Sequence, residues 1–222
     1  MGSEMCIRDS YWRTLGEGRG SPSGKIWDLY GNEVHIWAAS SMGLRRIERA
    51  TMSEDPIGIE GYFEQRHVYD ITEIDDQIWI GSIMGLYIFS YDNPQLLQAN
   101  DIGRKNFPER FYKITAIEEY NRLIYVVGDM GIAKFNIEER EWDLLYTSGV
   151  YQGKTVYSLA VNDKYLFLGT DNGLIRVNKR TGLIMDYLFP FIGQINEIVL
   201  EEKVVGLGAS AGLVKLKWIW GL

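Results

Sequence analysis

An all-β fold, a β-propeller of about five four-stranded blades, is predicted by three observations: a hairpin-like phrase that recurs, a glycine at the same place in each copy, and a spacing near forty residues. The phrase is QIWIGSIMGLYIF from Gln77 to Phe89, and it returns as HIWAASSMGLRRI from His35, LIYVVGDMGIAKF from Leu123, YLFLGTDNGLIRV from Tyr165 and VVGLGASAGLVKL from Val204. The turn glycines are Gly43, Gly85, Gly131, Gly173 and Gly212, spaced 39 to 46 residues apart. Two β-branched or aromatic runs around a turn read as a hairpin, and a forty-residue period of hairpins reads as blades. At each glycine the chain must reverse, and a positive φ there is open to Gly but costly for a β-branched residue.

Taken in order, Tyr11 to Leu15 reads as a short strand, followed by the turn-rich GEGRGSPSG. The first unit has strands at Ile26 to Tyr30, Val34 to Ala39 and Leu44 to Glu48, then a long polar insertion and a fourth strand around Tyr62 to Gln65. The second has Val68 to Ile74, Gln77 to Gly81 and Leu86 to Tyr91, closed by Asn93 to Arg110, the least regular segment of the chain. The third uses Ile114 to Glu118, Leu123 to Val127, Ile132 to Ile137 and Trp142 to Thr147. Val156 to Val161, Tyr165 to Gly169, Leu174 to Asn178 and Leu183 to Leu188 make the fourth, and Ile195 to Leu200, Val204 to Gly208 and Leu213 to Trp218 the fifth. With Tyr11 to Leu15 as the missing outer strand of the fifth unit, the strands suffice for a closed ring of five blades without sheet edges. An open part of a larger propeller is the alternative.

Residues 1–10, MGSEMCIRDS, have no place in the repeat and read as a non-native or disordered leader, which leaves 11–222 as one propeller domain. The only cysteine, Cys6, lies in that leader. A chain of 222 residues with 46% hydrophobic and 13% aromatic side chains can bury a substantial core. Its net charge of −7 argues against a sequence-independent grip on nucleic acid, which needs clustered Lys and Arg to displace counterions. No run reaches the roughly eighteen apolar residues of a membrane span.

The phrases QIWIGSIMGL and YLFLGTDNGLIRVNKRTG, with SPSGKIWDL ahead of the first unit, resemble the repeat of the two-component regulator propeller family. The aromatic residue two places before a small residue, the small residue itself and the closing Gly-Leu all recur; Val127 and Gly206 depart from the pattern. The resemblance implies an extracytoplasmic, periplasmic or extracellular, sensing or binding module, attached in many relatives to a signalling kinase through a membrane span. It extends to the propeller only, since no kinase segment or DNA-binding helix pair is written here.

Catalysis finds little support. A hydrolytic triad needs a histidine base beside a nucleophile, and the chain has only His35 and His67. His35 opens a strand and reads as packed or at an edge. No cysteine pair and no recurrent carboxylate spacing suggests a metal, so no cofactor is expected. Asp75 and Asp76 read as turn residues, and Asp129 and Asp171 as caps on the hairpin backbone.

Aligned starts of the innermost strands point to binding instead: Lys25-Ile26-Trp27, His67-Val68-Tyr69, Lys113-Ile114-Thr115, Thr155-Val156-Tyr157 and Gln194-Ile195-Asn196. Residues two apart share a face of a strand. Lys25, Trp27, His67, Tyr69, Lys113, Thr155, Tyr157, Gln194 and Asn196 are therefore expected at the mouth of the central channel. Donors backed by aromatic faces suit a polar small molecule or glycan. The alternative function is a protein-interaction scaffold, using the acidic insertion Glu48 to Glu64 and the irregular Asn93 to Arg110 as a side surface.

Overall fold

Each unit starts with a strand that turns back, at a pair of positive-φ residues in blade 2 (Asp75 and Asp76) and blade 3 (Asn121 and Arg122), and reverses again at the repeat glycine. In the computed structural model, which describes residues 24–217 apart from 57, 93 and 203, these reversals build five antiparallel sheets in chain order. Blade 1 holds β1 (Ile26–Gly31), β2 (His35–Ser40), β3 (Gly43–Glu48) and β4 (Ser53–Glu54). Blade 2 holds β5 (Val68–Ile74), β6 (Gln77–Ser82), β7 (Gly85–Ser90) and β8 (Leu96–Gln98). Blade 3 is β9 (Ile114–Tyr120), β10 (Leu123–Gly128), β11 (Gly131–Asn136) and β12 (Glu141–Thr147). Blade 4 is β13 (Val156–Val161), β14 (Tyr165–Thr170), β15 (Gly173–Asn178) and β16 (Ile184–Tyr187), and blade 5 is β17 (Ile195–Glu201), β18 (Val204–Ala209) and β19 (Gly212–Lys217). Among the described residues helix is confined to two four-residue segments, α1 (Glu60–Phe63) and α2 (Ala99–Ile102), and a 3-10 turn at Ser148–Tyr151.

The turn glycines adopt the expected backbone, with φ between +110° and +137°. A hydroxyl fastens three of these turns: Ser40, Ser82 and Thr170 donate to the carbonyls of Gly43, Gly85 and Gly173 at 2.7 to 3.0 Å and accept the amide two residues on. A Cβ at Gly131 would lie 2.0 Å from the Tyr146 carbonyl oxygen, and one at Gly173 2.1 Å from that of Tyr187, whereas one at Gly212 meets nothing within 4 Å. Gly131→Ala and Gly173→Ala should therefore lose more than the roughly 1–3 kcal/mol of backbone strain expected of Gly212→Ala. Urea unfolding midpoints of the three variants check that order.

The core consists of four apolar clusters, one per seam between consecutive blades. Leu44 of blade 1 packs with Ile71 of blade 2, Leu86 with Ile117, Ile132 with Leu159, and Leu174 with Ile198. The segment that looked least regular in sequence seals the second seam: Ala99, Ile102, Phe107 and Phe111 pack onto Trp142, whose Nε1 donates to the Ala99 carbonyl at 3.0 Å.

One strand differs from expectation. Tyr62 to Gln65 does not form the fourth strand of blade 1; that role falls to Ser53–Glu54, while Glu60–Phe63 is the helix α1. The aromatic pair there plugs the first seam instead of pairing with an edge: Phe63 is fully buried, and the rings of Tyr62 and Phe63 meet Tyr87 at 5.3 and 5.5 Å. The strand expected at Tyr11 to Leu15 lies outside the described residues. Among the described residues blade 5 has three strands, and the chain forms four seams between its five blades.

Candidate functional site

Every innermost strand carries the same irregularity at the same place. The pairing of β1 with β2 runs Ile26 to Ser40 and then Asp28 to Ala39, so Trp27 has no partner across the ladder. Tyr69, Thr115, Tyr157 and Asn196 are skipped in the same way in blades 2 to 5. A β-bulge of this kind bends the strand and re-aims the extra residue. All five bulged residues line one central cavity of about 300 Å³, together with Asp28, Asp70, Glu118, Ser158 and Glu197.

The bulge modifies the simple two-residue alternation, and the expected site residues fall into three groups. Trp27, Tyr69, Tyr157 and Asn196 form the cavity wall with Thr115. Lys25, His67 and Lys113 rest against it: the Lys25 ammonium lies 3.7 Å from the Trp27 ring centre, the Lys113 ammonium 4.9 Å from that of Tyr69, and His67 contacts both aromatics at 6.2 and 5.6 Å. Trp27 and Tyr69 are themselves 5.7 Å apart. Gln194 donates its side-chain amide to Asn196, and Thr155 is exposed, its carbonyl accepting the amide of Asp171. The indole Nε1 of Trp27 is shielded from solvent and has no hydrogen-bond partner among the described residues.

Four carboxyl groups line the same cavity. Asp28 accepts the amides of Leu29 at 2.7 Å and of Ile71, across the first seam, at 3.0 Å; Asp70 likewise accepts the amide of Ile117 across the second seam. Burial pushes Asp70 well above the ordinary carboxylate range, and its neighbour Asp28 adds to the effect. Glu118 is pushed to about 7, first by burial and then by the charges of Glu197 and Glu119. Glu197 is raised too, by partial removal from water and by Asp28. Acids with folded-state values above their unfolded ones bind more protons when folded, so their contribution to stability falls as pH rises. For Glu118 that window runs from the ordinary 4.5 to about 7. The melting temperature should drop between pH 5 and pH 8, and Glu118→Gln should shrink the drop; thermal unfolding at the two pH values checks both.

The carboxylates were not singled out in sequence, although the aligned triplets Trp27-Asp28-Leu29, Tyr69-Asp70-Ile71 and Asn196-Glu197-Ile198 carry the signal. The other polar candidates serve structure elsewhere. His35 pairs with Asp55 at 3.0 Å and stacks on Tyr91, Asp75 forms an ion pair with Arg122 at 2.8 Å, and Asp129 accepts the amides of Tyr112 and Lys113, capping the approach to β9 rather than its own hairpin.

This geometry defines a β-propeller with a polar, aromatic-walled central cavity. No protein-family model matches the chain, and no curated protein matches it. Among solved structures it is similar to the extracellular domain of the putative hybrid two-component system BT4673 of B. thetaiotaomicron, with 17% identity and a TM-score of 0.69 over 95% of this chain and 28% of that one. The extracellular domain of BT3049 from the same organism gives 14% identity and a TM-score of 0.61 over 85% of this chain and 26% of that one. PorZ, a surface component of the type-IX secretion system of Porphyromonas gingivalis, gives 13% identity and a TM-score of 0.61 over 98% of this chain and 34% of that one. The chain thus spans about a quarter to a third of these structures. What it shares with them is the fold, and two of them are extracellular domains of putative two-component systems, the class to which the resemblance of the repeat pointed. Among the described residues no helix is long and apolar enough to cross a membrane.

Proposed function

We propose that this propeller is a non-catalytic sensing module that works outside the cytoplasm and takes a neutral, hydroxyl-rich ligand such as a glycan at its central cavity. The observation that carries this reading is the convergence of Trp27, Tyr69 and Tyr157 with Asp28, Asp70, Glu118 and Glu197 on one cavity. Aromatic faces stack on the apolar face of a sugar ring, and carboxyl groups accept its hydroxyls. The same carboxyls repel a carboxylated metabolite, which the Lys25 and Lys113 ammonium groups alone would have suited. Each polar contact nets about 0.5–1.5 kcal/mol, which places affinity on the order of micromolar to millimolar.

A thermal-shift screen of neutral oligosaccharides against uronic acids of the same size tests this. The reading expects stabilisation by members of the neutral set; stabilisation by the acidic set alone would contradict it. A protein-binding scaffold is the second reading, and the exposed Leu183 and Leu188, which flank the outer strand of blade 4, and Phe191, in the connection to blade 5, favour it. Recovery of a protein partner that Phe191→Glu releases, with no sugar response, would put that reading in place of the first.

A further inference from the structure

Equivalent positions of successive seams single out a pocket in the second one. In the first seam Trp37 of blade 1 is fully buried and its Nε1 donates to the hydroxyl of Tyr91 at 3.3 Å, the two ring centres lying 6.5 Å apart. Tyr91 is the sixth residue after the turn glycine Gly85 of blade 2, and its ring also stacks on His35, two places before Trp37, at 6.4 Å. One repeat further on, Gln77, Trp79 and Ile137 hold the places of His35, Trp37 and Tyr91. All three line a pocket of about 310 Å³ that shares no residue with the central cavity. In the third seam Lys179 holds the place of Tyr91, and its ammonium lies 5.5 Å from the ring centre of Tyr125, which holds that of Trp37. A long side chain with a polar tip thus crosses the seam on either side of this one, whereas Ile137 is shorter and carries no polar atom.

The chemistry of the pocket narrows what it takes. Its inner walls are apolar, with Ile124 and Phe135 buried beside Trp79. The charged groups at its rim are engaged within the protein: Arg140 donates Nε and Nη2 to the Ile102 carbonyl at 3.1 and 2.8 Å, Asp101 accepts the Gln98 amide at 2.8 Å, and Asp75 pairs with Arg122 at 2.8 Å. A charged ligand would therefore meet no uncommitted counter-charge there. The Nε1 of Trp79 is shielded from solvent and has no hydrogen-bond partner among the described residues, in contrast to those of Trp37 and Trp142. A buried donor without an acceptor is costly, so an occupant that brings an acceptor is favoured over one of the same shape that does not. The volume is at the lower end of the roughly 300–1,000 Å³ of small-molecule sites, which suits a compact molecule.

We propose that this pocket is a second ligand site, separate from the central cavity, for a small uncharged phenol whose ring takes the place that Tyr91 fills in the first seam and whose hydroxyl oxygen accepts from Nε1 of Trp79. The probe is p-cresol, the tyrosine side chain as a free molecule, titrated into the nitrogen-15-labelled 222-residue chain. The indole resonances report it, the Trp79 signal being assigned by its loss in Trp79→Phe. That signal is expected to shift saturably with a Kd on the order of millimolar, in keeping with so small a ligand, while the Trp27 signal of the central cavity stays in place. Toluene, the same ring without the hydroxyl, is expected to bind about tenfold more weakly because it leaves the donor unmet. Ile137→Tyr supplies from within the chain the group that the first seam has; it is expected to move the Trp79 signal in the absence of p-cresol and to abolish the response to it. The comparison of the two probes on the wild-type chain needs no variant, and thermal unfolding shows that Ile137→Tyr keeps the fold. A Trp79 signal unmoved at about 10 mM p-cresol, toluene bound as tightly as p-cresol, or a response that survives Ile137→Tyr would each overturn the proposal.

Discussion

Trp142→Ala should lower the stability of the propeller by about 3–5 kcal/mol, the largest single-residue loss expected in the chain. Trp142 is 1% exposed and is the hub of the second seam, with ring centres of Phe107 at 4.6 Å, Phe135 at 4.7 Å and Trp79 at 6.3 Å. Truncation would leave a cavity bordered by two blades and by the segment carrying α2, and it would remove the bond from the indole to the Ala99 carbonyl. Relaxation cannot easily fill such a space, because the walls belong to separate sheets. Trp142→Phe should recover much of the packing and still lose the hydrogen bond, a difference of about 1–3 kcal/mol from wild type. Guanidinium unfolding monitored by far-ultraviolet circular dichroism distinguishes the two, with Leu213→Ala, on a bare surface, expected within about 0.5 kcal/mol of wild type.

The second large effect concerns recognition. Changing Trp27 and Tyr69 together to Ala should weaken a bound glycan at least tenfold and approach a hundredfold, since stacked aromatic faces contribute about 0.5–1.5 kcal/mol each beyond the area they bury. The fold should persist. Both side chains are only partly buried, and they sit at bulges that no cross-strand partner depends on. Asp75→Ala provides the comparison, because that side chain is engaged with Arg122 rather than with the cavity and its loss should leave affinity unchanged. Calorimetric titration of the neutral oligosaccharides found by thermal shift measures both variants.

The fold was legible because its signals are local and repeated. Turn glycines, apolar strands and the forty-residue period each report backbone geometry directly, and nearly every inner strand follows within a residue or two of its expected limits. Two features were not legible for physical reasons. Tyr62 and Phe63 have strand-like character, but whether an aromatic pair continues an edge or plugs a seam depends on what the next blade presents, here Tyr87. The cavity wall depended on a bulge, which breaks the two-residue alternation, so Lys25 and Trp27 cannot be assigned one common direction from spacing alone. The aromatic lining of the cavity nevertheless emerged from alignment of the strand starts. The carboxyl half did not, because an acidic residue inside an inner strand resembles ordinary solvated charge until the five strands converge.

The central cavity as ligand site is most directly tested by the indole resonances of nitrogen-15-labelled protein during titration with a neutral oligosaccharide. The chain has seven tryptophans, and two of them give opposite expectations. The Nε1 of Trp27 belongs to a residue of the cavity wall and has no hydrogen-bond partner among the described residues, while that of Trp142 is bonded to the Ala99 carbonyl in the second seam. A ligand in the cavity should shift the Trp27 signal in proportion to occupancy and leave the Trp142 signal in place. Saturable binding by calorimetry that leaves the Trp27 signal unmoved would contradict the assignment of the site.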